Sequence, residues 1–467
     1  QPLEPDPGNT GVGNGLRSLG SRVGINLRLA GSSGLEIRKM KNISPAQWSI
    51  LISASLSMLL WGIIASIGPL AASGSLIGAL PRQFMTAILL LGPAALLVGD
   101  SSIGVLSDKF GRKNMFIITM LSYGGGLLII VIFTLLRSLV GLGIGLGIAE
   151  YGIGGEEPPS LSLLTEDFSA GSRAFFLTIT TNFSNLGAAF ISGMLLLAPS
   201  TGYTYYIIGS GFVLIAVMVF ARLRMPESFR WLNQVGKDQE ARKERSELDI
   251  ADEGTPMAHP GWLIPFVAMI LMGVSQYLTY GLMSFVIGPY EFPSSTFDEE
   301  IILFSNLGAA AGGVFAAYMI NAGSRRKFAF YSFAGGFAST LGILLLTAYL
   351  KDPAVFFPLL FFNMVMSEFG WAARVTLEPE AFPTKLRGSA IGLIRVFPIV
   401  AYELSVYYTS YFSIYQFIGY NLVLWGIGVL GAVLWLLKGF ETKGINPDYP
   451  TNTAAKEKRS HERDNQI

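Results

Sequence analysis

The sequence has no cysteine and only two histidines, His259 and His461, in 467 residues. Without thiols there is no disulfide framework, no thiolate nucleophile and no zinc ribbon. Two scattered histidines leave little for a catalytic triad or a metal centre, so neither an enzyme nor a cofactor is expected. Charge is scarce too: Asp, Glu, Lys and Arg together make up 14%, where a soluble chain carries roughly 25%. A net charge of +1 offers no cationic face for nucleic acid. No Gly-x-x-x-x-Gly-Lys-Ser/Thr run is present, which argues against a nucleotide-driven machine on this chain.

Apolar sequence is what abounds: 51% of residues are hydrophobic and the mean hydropathy is +0.49. Twelve apolar runs fall at about 47–69, 83–106, 114–136, 138–163, 173–197, 203–223, 261–287, 301–321, 328–349, 354–376, 388–411 and 414–437. Each is near the ~20 residues that cross a ~30 Å hydrocarbon core. They predict an all-α polytopic membrane protein, twelve transmembrane helices in two six-helix bundles. The expected parts are a polar N-terminal segment (1–45), a first bundle (46–223), a central loop (224–260), a second bundle (261–437) and a polar tail (438–467). With the N-terminus inside, the inner segments and adjoining span ends hold 28 of the 33 Lys and Arg. That bias predicts both termini in the cytoplasm.

The chain also repeats its charged punctuation. GVLSDKFGRK (Gly104–Lys113) and TEDFSAGSR (Thr165–Arg173) are echoed by YMINAGSRRK (Tyr318–Lys327) and PEAFPTKLR (Pro379–Arg387). Asp108 aligns with Asn321 at an offset of 213, and Glu166 with Glu380 and Arg173 with Arg387 at 214. Two landmarks in one order at nearly one offset indicate an internal duplication, a common plan for secondary transporters. Asp108 and Arg112, with Gly104 and Gly111 giving them room, are candidates to hold the halves together at the inner face. The bland alternative is a set of topology anchors.

The loop Gly104-x-x-x-Asp108-x-x-Gly111-Arg112-Lys113 resembles the signature loop of the major facilitator superfamily, and the copy ending in Arg325 and its neighbours resembles that family's second loop. RSLVGLGIG, Glu166 with Arg173 seven residues on, PESFRWL, EAFPTKLRG (with Glu380 and Arg387) and FETKG are similar to the sugar-porter branch. GIGGEEPPSLSLLTED (Gly152–Asp167) resembles an element of proton-coupled phosphate and metabolite symporters, with Glu156 on that family's acidic position. The resemblance implies proton-coupled uptake of a small polar solute, an organic acid or inorganic anion, by alternating access. Its implied partners are solute, protons and the bilayer, and its implied setting is the cytoplasmic membrane, as a monomer. The chain departs from the pattern twice. Only Gln276 survives of the glutamine–asparagine element of hexose carriers, and Asn321 replaces an acid in the second loop. A sugar porter, or a sensor that moves nothing, are the alternatives.

Charges deep in apolar runs are expensive and so are functional candidates. Glu156 lies ten residues before Glu166, about 15 Å along a helix, and is a candidate proton carrier or a carboxylate paired to a neighbouring helix. Asp100, at similar depth, is the second proton candidate. Arg395 is expected either to touch an anionic solute or to bridge to Glu368 or Glu403. Gln276, Tyr277, Tyr280 and Glu368 complete the expected substrate cavity. Pro93, Pro158, Pro159, Pro265 and Pro398 are expected to bend or break their helices.

Overall fold

The computed structural model describes residues 43–76, 78–197, 201–248, 250, 261–292 and 294–446. Most of the polar N-terminal segment, the stretch 251–260 and the tail beyond Asn446 lie outside the described residues. The chain runs through α1 (Pro45–Ala72), α2 (Arg82–Phe110), α3 (Arg112–Leu135), α4 (Leu139–Gly154), α5 (Glu157–Glu166), α6 (Arg173–Leu197) and α7 (Thr201–Arg224). Two short helices follow, α8 (Phe229–Gln234) and α9 (Asp238–Leu248). The second half holds α10 (Leu263–Gly281), α11 (Ile287–Glu291), α12 (Ser295–Met319), α13 (Arg325–Leu345), α14 (Pro353–Glu380), α15 (Arg387–Thr409) and α16 (Ile414–Lys438). In hydrocarbon every backbone amide must be paired within the chain, and helices meet that demand.

Local sequence sets the helix ends. Ser44 and Gln47 form a capping box that opens α1, and Ser413 and Gln416 do the same for α16. Gly111 turns α2 into α3 with φ +95°, and a side chain there would also strike the Glu227 carboxylate. Of the prolines, the Pro158–Pro159 pair falls in the first turn of α5, just after the span breaks at Gly155 and Glu156. Pro265 sits in the first turn of α10, where a missing donor costs nothing, while α2 and α15 run unbroken through Pro93 and Pro398. The seventh span is interrupted instead at Leu282–Val286, by a wider π turn beside Tyr402.

Among the described residues ten helical spans are long and apolar enough to cross a membrane, α10 and α11 counting as one; the expected fourth and sixth spans are the pair α4–α5 and α7. Val140, Leu197 and Leu345 are 75–82% exposed. In water such a belt would aggregate, whereas in lipid it faces a matching solvent. Inside, Leu60, Ile67, Leu127 and Leu146 centre the first half, and Phe333, Trp425 and Trp435 the second.

The halves meet along two seams, α2 against α15 and α6 against α12. The 213–214-residue offset carries each seam into the other. The first seam is close because it is lined with glycine: a methyl on Gly104 would stand 2.7 Å from the Gly388 carbonyl oxygen. Small residues let backbones approach where no hydrophobic drive acts between helices.

Candidate functional site

Between the seams lies a cavity in two lobes. The first is walled by Trp61, Gly92, Pro93, Glu150, Tyr277 and Tyr402, among others. The second is walled by Glu157, Asn185, Gln276, Tyr280, Glu368 and Trp371, among others. Trp61, Tyr277 and Tyr280 belong to both lobes. Across the second lobe the Tyr280 hydroxyl donates to Asn306 Oδ1 at 2.6 Å, and Asn185 hydrogen-bonds the Glu368 carboxyl. Three carboxyl side chains, Glu150, Glu157 and Glu368, line these walls, and the lining residues include no Lys or Arg.

The cations stand one layer behind. Trp371 of α14 carries a guanidinium over its ring on each account: Arg374 at 5.1 Å and Arg395 at 5.2 Å. Arg374 donates to Glu378 at 2.9 Å and to Gln276 Oε1 at 2.8 Å. Arg395 pairs with Glu157, and stands 3.7 Å from both Asp100 and Glu378. It therefore bridges to neither Glu368 nor Glu403, because α15 turns it toward α2 and α5. Both Asp100 oxygens are buried without a hydrogen bond. Three carboxyls face two guanidiniums here, so one acid lacks a counter-charge.

Toward the basic end a second charged network closes the seams. Glu166 is held by Arg112 at 2.9 Å from its own half and by Arg387 from the other. Glu380 is held by Arg325 from its own half and by Arg173 at 2.7 Å from the other. Asp108 pairs with Arg112 at 3.1 Å and accepts from the amides of Gly388 and Ser389 at 3.2 and 2.7 Å. Those amides are the unpaired donors at the start of α15. Asn321 instead accepts from Arg325 at 3.2 Å, within its own half. Glu227 accepts from the Arg112 amide at 3.0 Å and Glu441 from the Arg325 amide at 3.1 Å, again one repeat apart. Burial pushes the Glu227 carboxyl up, against the pull of the Ser228, Arg112 and Lys113 amides and the Arg112 charge. The central loop joins in: Trp231 donates to the Asp108 carbonyl and Arg230 to that of Glu166, each at 2.9 Å.

The structure thus brings Gly104, Asp108, Gly111, Arg112, Glu166, Arg173, Arg325, Glu380 and Arg387 to one end of the molecule. It sets Gln276, Tyr277, Tyr280 and Glu368 on the cavity wall, with Arg395 and Asp100 behind it. Glu156 goes elsewhere. Fully buried inside the first half, it pairs with Arg222 of α7 and accepts from Thr119 of α3. Sequence reasoning passed over Glu150, Glu157, Arg374 and Arg222 as site residues. Glu150, Glu157 and Arg374 carried the same signal as the others, a charge inside an apolar run; Arg222 was counted with the basic central loop.

Comparison with known proteins matches residues 49–400 to the model of the Major Facilitator Superfamily. The 4-hydroxybenzoate transporter PcaK of Acinetobacter baylyi is 29% identical over 213 residues, 44% of this chain and 46% of that protein. The niacin transporter NiaP of the same organism is 23% identical over 396 residues, 76% of this chain and 85% of that one. Among solved structures, the proton:xylose symporter XylE bound to 6-bromo-6-deoxy-D-glucose shares the fold with a TM-score of 0.70 at 15% identity, covering 85% of this chain and 97% of that one.

Proposed function

The chain belongs to the Major Facilitator Superfamily, and from that premise we propose that it takes up a small aromatic carboxylate together with protons. It is a multi-pass membrane transporter and not an enzyme. The observation that carries the finer reading is the three-acid, two-arginine cluster at Arg395. In the empty protein Glu157 and Asp100 hold the guanidinium. A proton on either acid weakens that hold, and a solute carboxylate replaces it with two parallel charge-assisted hydrogen bonds. Proton and anion then favour each other's binding, which is the thermodynamic content of symport. Trp61, Tyr277, Tyr280 and Trp371 supply ring faces for an aromatic body. PcaK and NiaP are named for solutes that are aromatic acids.

Access alternates as the halves rock about the cavity. The ion pairs of Asp108, Glu166 and Glu380 close the basic end and must part for release there. By the positive-inside rule we assign that end to the cytoplasm, with both termini on the cytoplasmic side of the membrane and the monomer as the transporting unit. One observation favours a different solute: a wall with three carboxyls and no basic side chain also suits an organic cation. Uptake by proteoliposomes of 4-hydroxybenzoate, choline and xylose, with acid or neutral buffer outside, separates the readings. Accumulation of the acid alone, and only with acid outside, is expected. Accumulation of choline would establish the cation reading, and of xylose the sugar-porter one.

A further inference from the structure

Glu150 is a buried carboxyl to which the mechanism above gives no task. It lies on α4, 4% exposed, and makes no hydrogen bond or ion pair among the described residues. Gly92 of α2 forms its floor: a methyl group there would come within 3.1 Å of Glu150 Oε1. The carboxyl opens into the first lobe, the one farther from the ion-pair network, between Trp61, Pro93, Tyr277 and Tyr402. Tyr277, Tyr280 and Tyr402 are the titratable groups facing it there, and Asp100 and Glu403 act on the same tyrosines from beyond. Among the titratable side chains of α3, Tyr123 is the one that packs on α4, at Gly152, and its hydroxyl is turned to Met218. A carboxylate with no cation in an apolar lobe calls for a proton.

Glu157 follows Glu150 by seven residues, across the break at Gly155 and Glu156, and both carboxyls stand on the cavity wall. Glu150 faces the first lobe and Glu157 the second, with Tyr277 and Trp61 common to both. We propose that Glu150 is the proton-loading residue of this transporter, receiving protons from the solution opposite the ion-pair network and passing them to Glu157. The inference rests on the proton-coupled reading given above. The step balances simply. A proton from water converts the Glu150 carboxylate to the acid. The acid then gives that proton through cavity water to the Glu157 carboxylate, which restores Glu150 and frees Arg395 for the solute.

The test uses the full chain in proteoliposomes with a pH-sensitive dye inside, 4-hydroxybenzoate as probe and acid outside. In Glu150→Gln, proton uptake and accumulation are expected to fall about tenfold or more, the loss expected of a missing proton carrier. Exchange of labelled for unlabelled probe needs no net proton and falls far less. Glu150→Asp restores accumulation in part, and Gly92→Ala, which presses on the carboxyl, moves the pH midpoint of accumulation. Undiminished proton uptake in Glu150→Gln overturns the proposal. So does an equal loss of exchange and accumulation, which would mark a structural role. Wild-type protein that carries the probe without protons sinks the proton-coupled reading itself. Coupled wild type with an indifferent Glu150→Gln sinks only the role of Glu150.

Discussion

Arg395 sits eight residues into α15 and is 4% exposed, where a lone guanidinium would cost several kcal/mol. Three acids reach it, so it is stable when empty and available when they are protonated. Arg395→Lys keeps the charge and loses the planar fork. Losing one charge-assisted bond of roughly 1.5–3 kcal/mol should raise the apparent KM for 4-hydroxybenzoate by about ten- to a hundredfold, with expression intact. Initial-rate uptake kinetics check it. Glu156 has the opposite character. It is the counter-charge of Arg222, which also donates to Ser57 at 2.7 Å and lies over the Phe116 ring. Glu156→Gln strands a buried cation, and breaking such a pair costs about 3–5 kcal/mol. A lowered Tm in detergent is expected, recovered in part when Arg222→Met is added. Normal Tm with lost pH-driven accumulation would instead favour the proton-carrier expectation for Glu156. Charges in apolar runs were legible as costly, but their partners were not. Glu156 meets Arg222 from 66 residues away and Arg395 meets Glu157 from 238 away, and no local pattern encodes such pairings.

At the scale of elements, the start of α15 is the most telling. Its first amides would be unpaired, and the Asp108 carboxylate from the other half accepts two of them along with the Ser389 hydroxyl. An anion at a helix N-terminus also meets the positive end of the helix dipole. Asp108→Asn removes that charge and its pairing with Arg112, so it should slow transport at least about tenfold while leaving the fold intact. Asn321→Ala, whose side chain bonds only within its own half, should change rates by less than about twofold. Equal, mild effects in matched uptake assays would reduce the loops to topology anchors. The repeat made this network readable in advance, because charged landmarks at one offset must return to equivalent places. The element breaks were harder. Pro158 and Pro159 announced the interruption of the fourth span, but the π turn at Leu282–Val286 packs against α12 and α1 and has no proline to announce it.

For the whole molecule, apolar length alone determined the number and order of spans, since few structures satisfy a backbone in lipid. The cavity was less legible. Its aromatic and amide walls were read from the seventh span, yet the acid-rich lining comes from three helices that only the fold brings together. The central claim is that a proton on the Arg395 cluster prepares the site for a carboxylate. Calorimetric binding of 4-hydroxybenzoate to the detergent-purified protein between pH 5.5 and 8 tests it most directly. One-proton linkage predicts an affinity that strengthens by up to about tenfold per pH unit as pH falls, a slope that flattens in Asp100→Asn or Glu157→Gln. An affinity independent of pH, or one that weakens on acidification, would contradict the account.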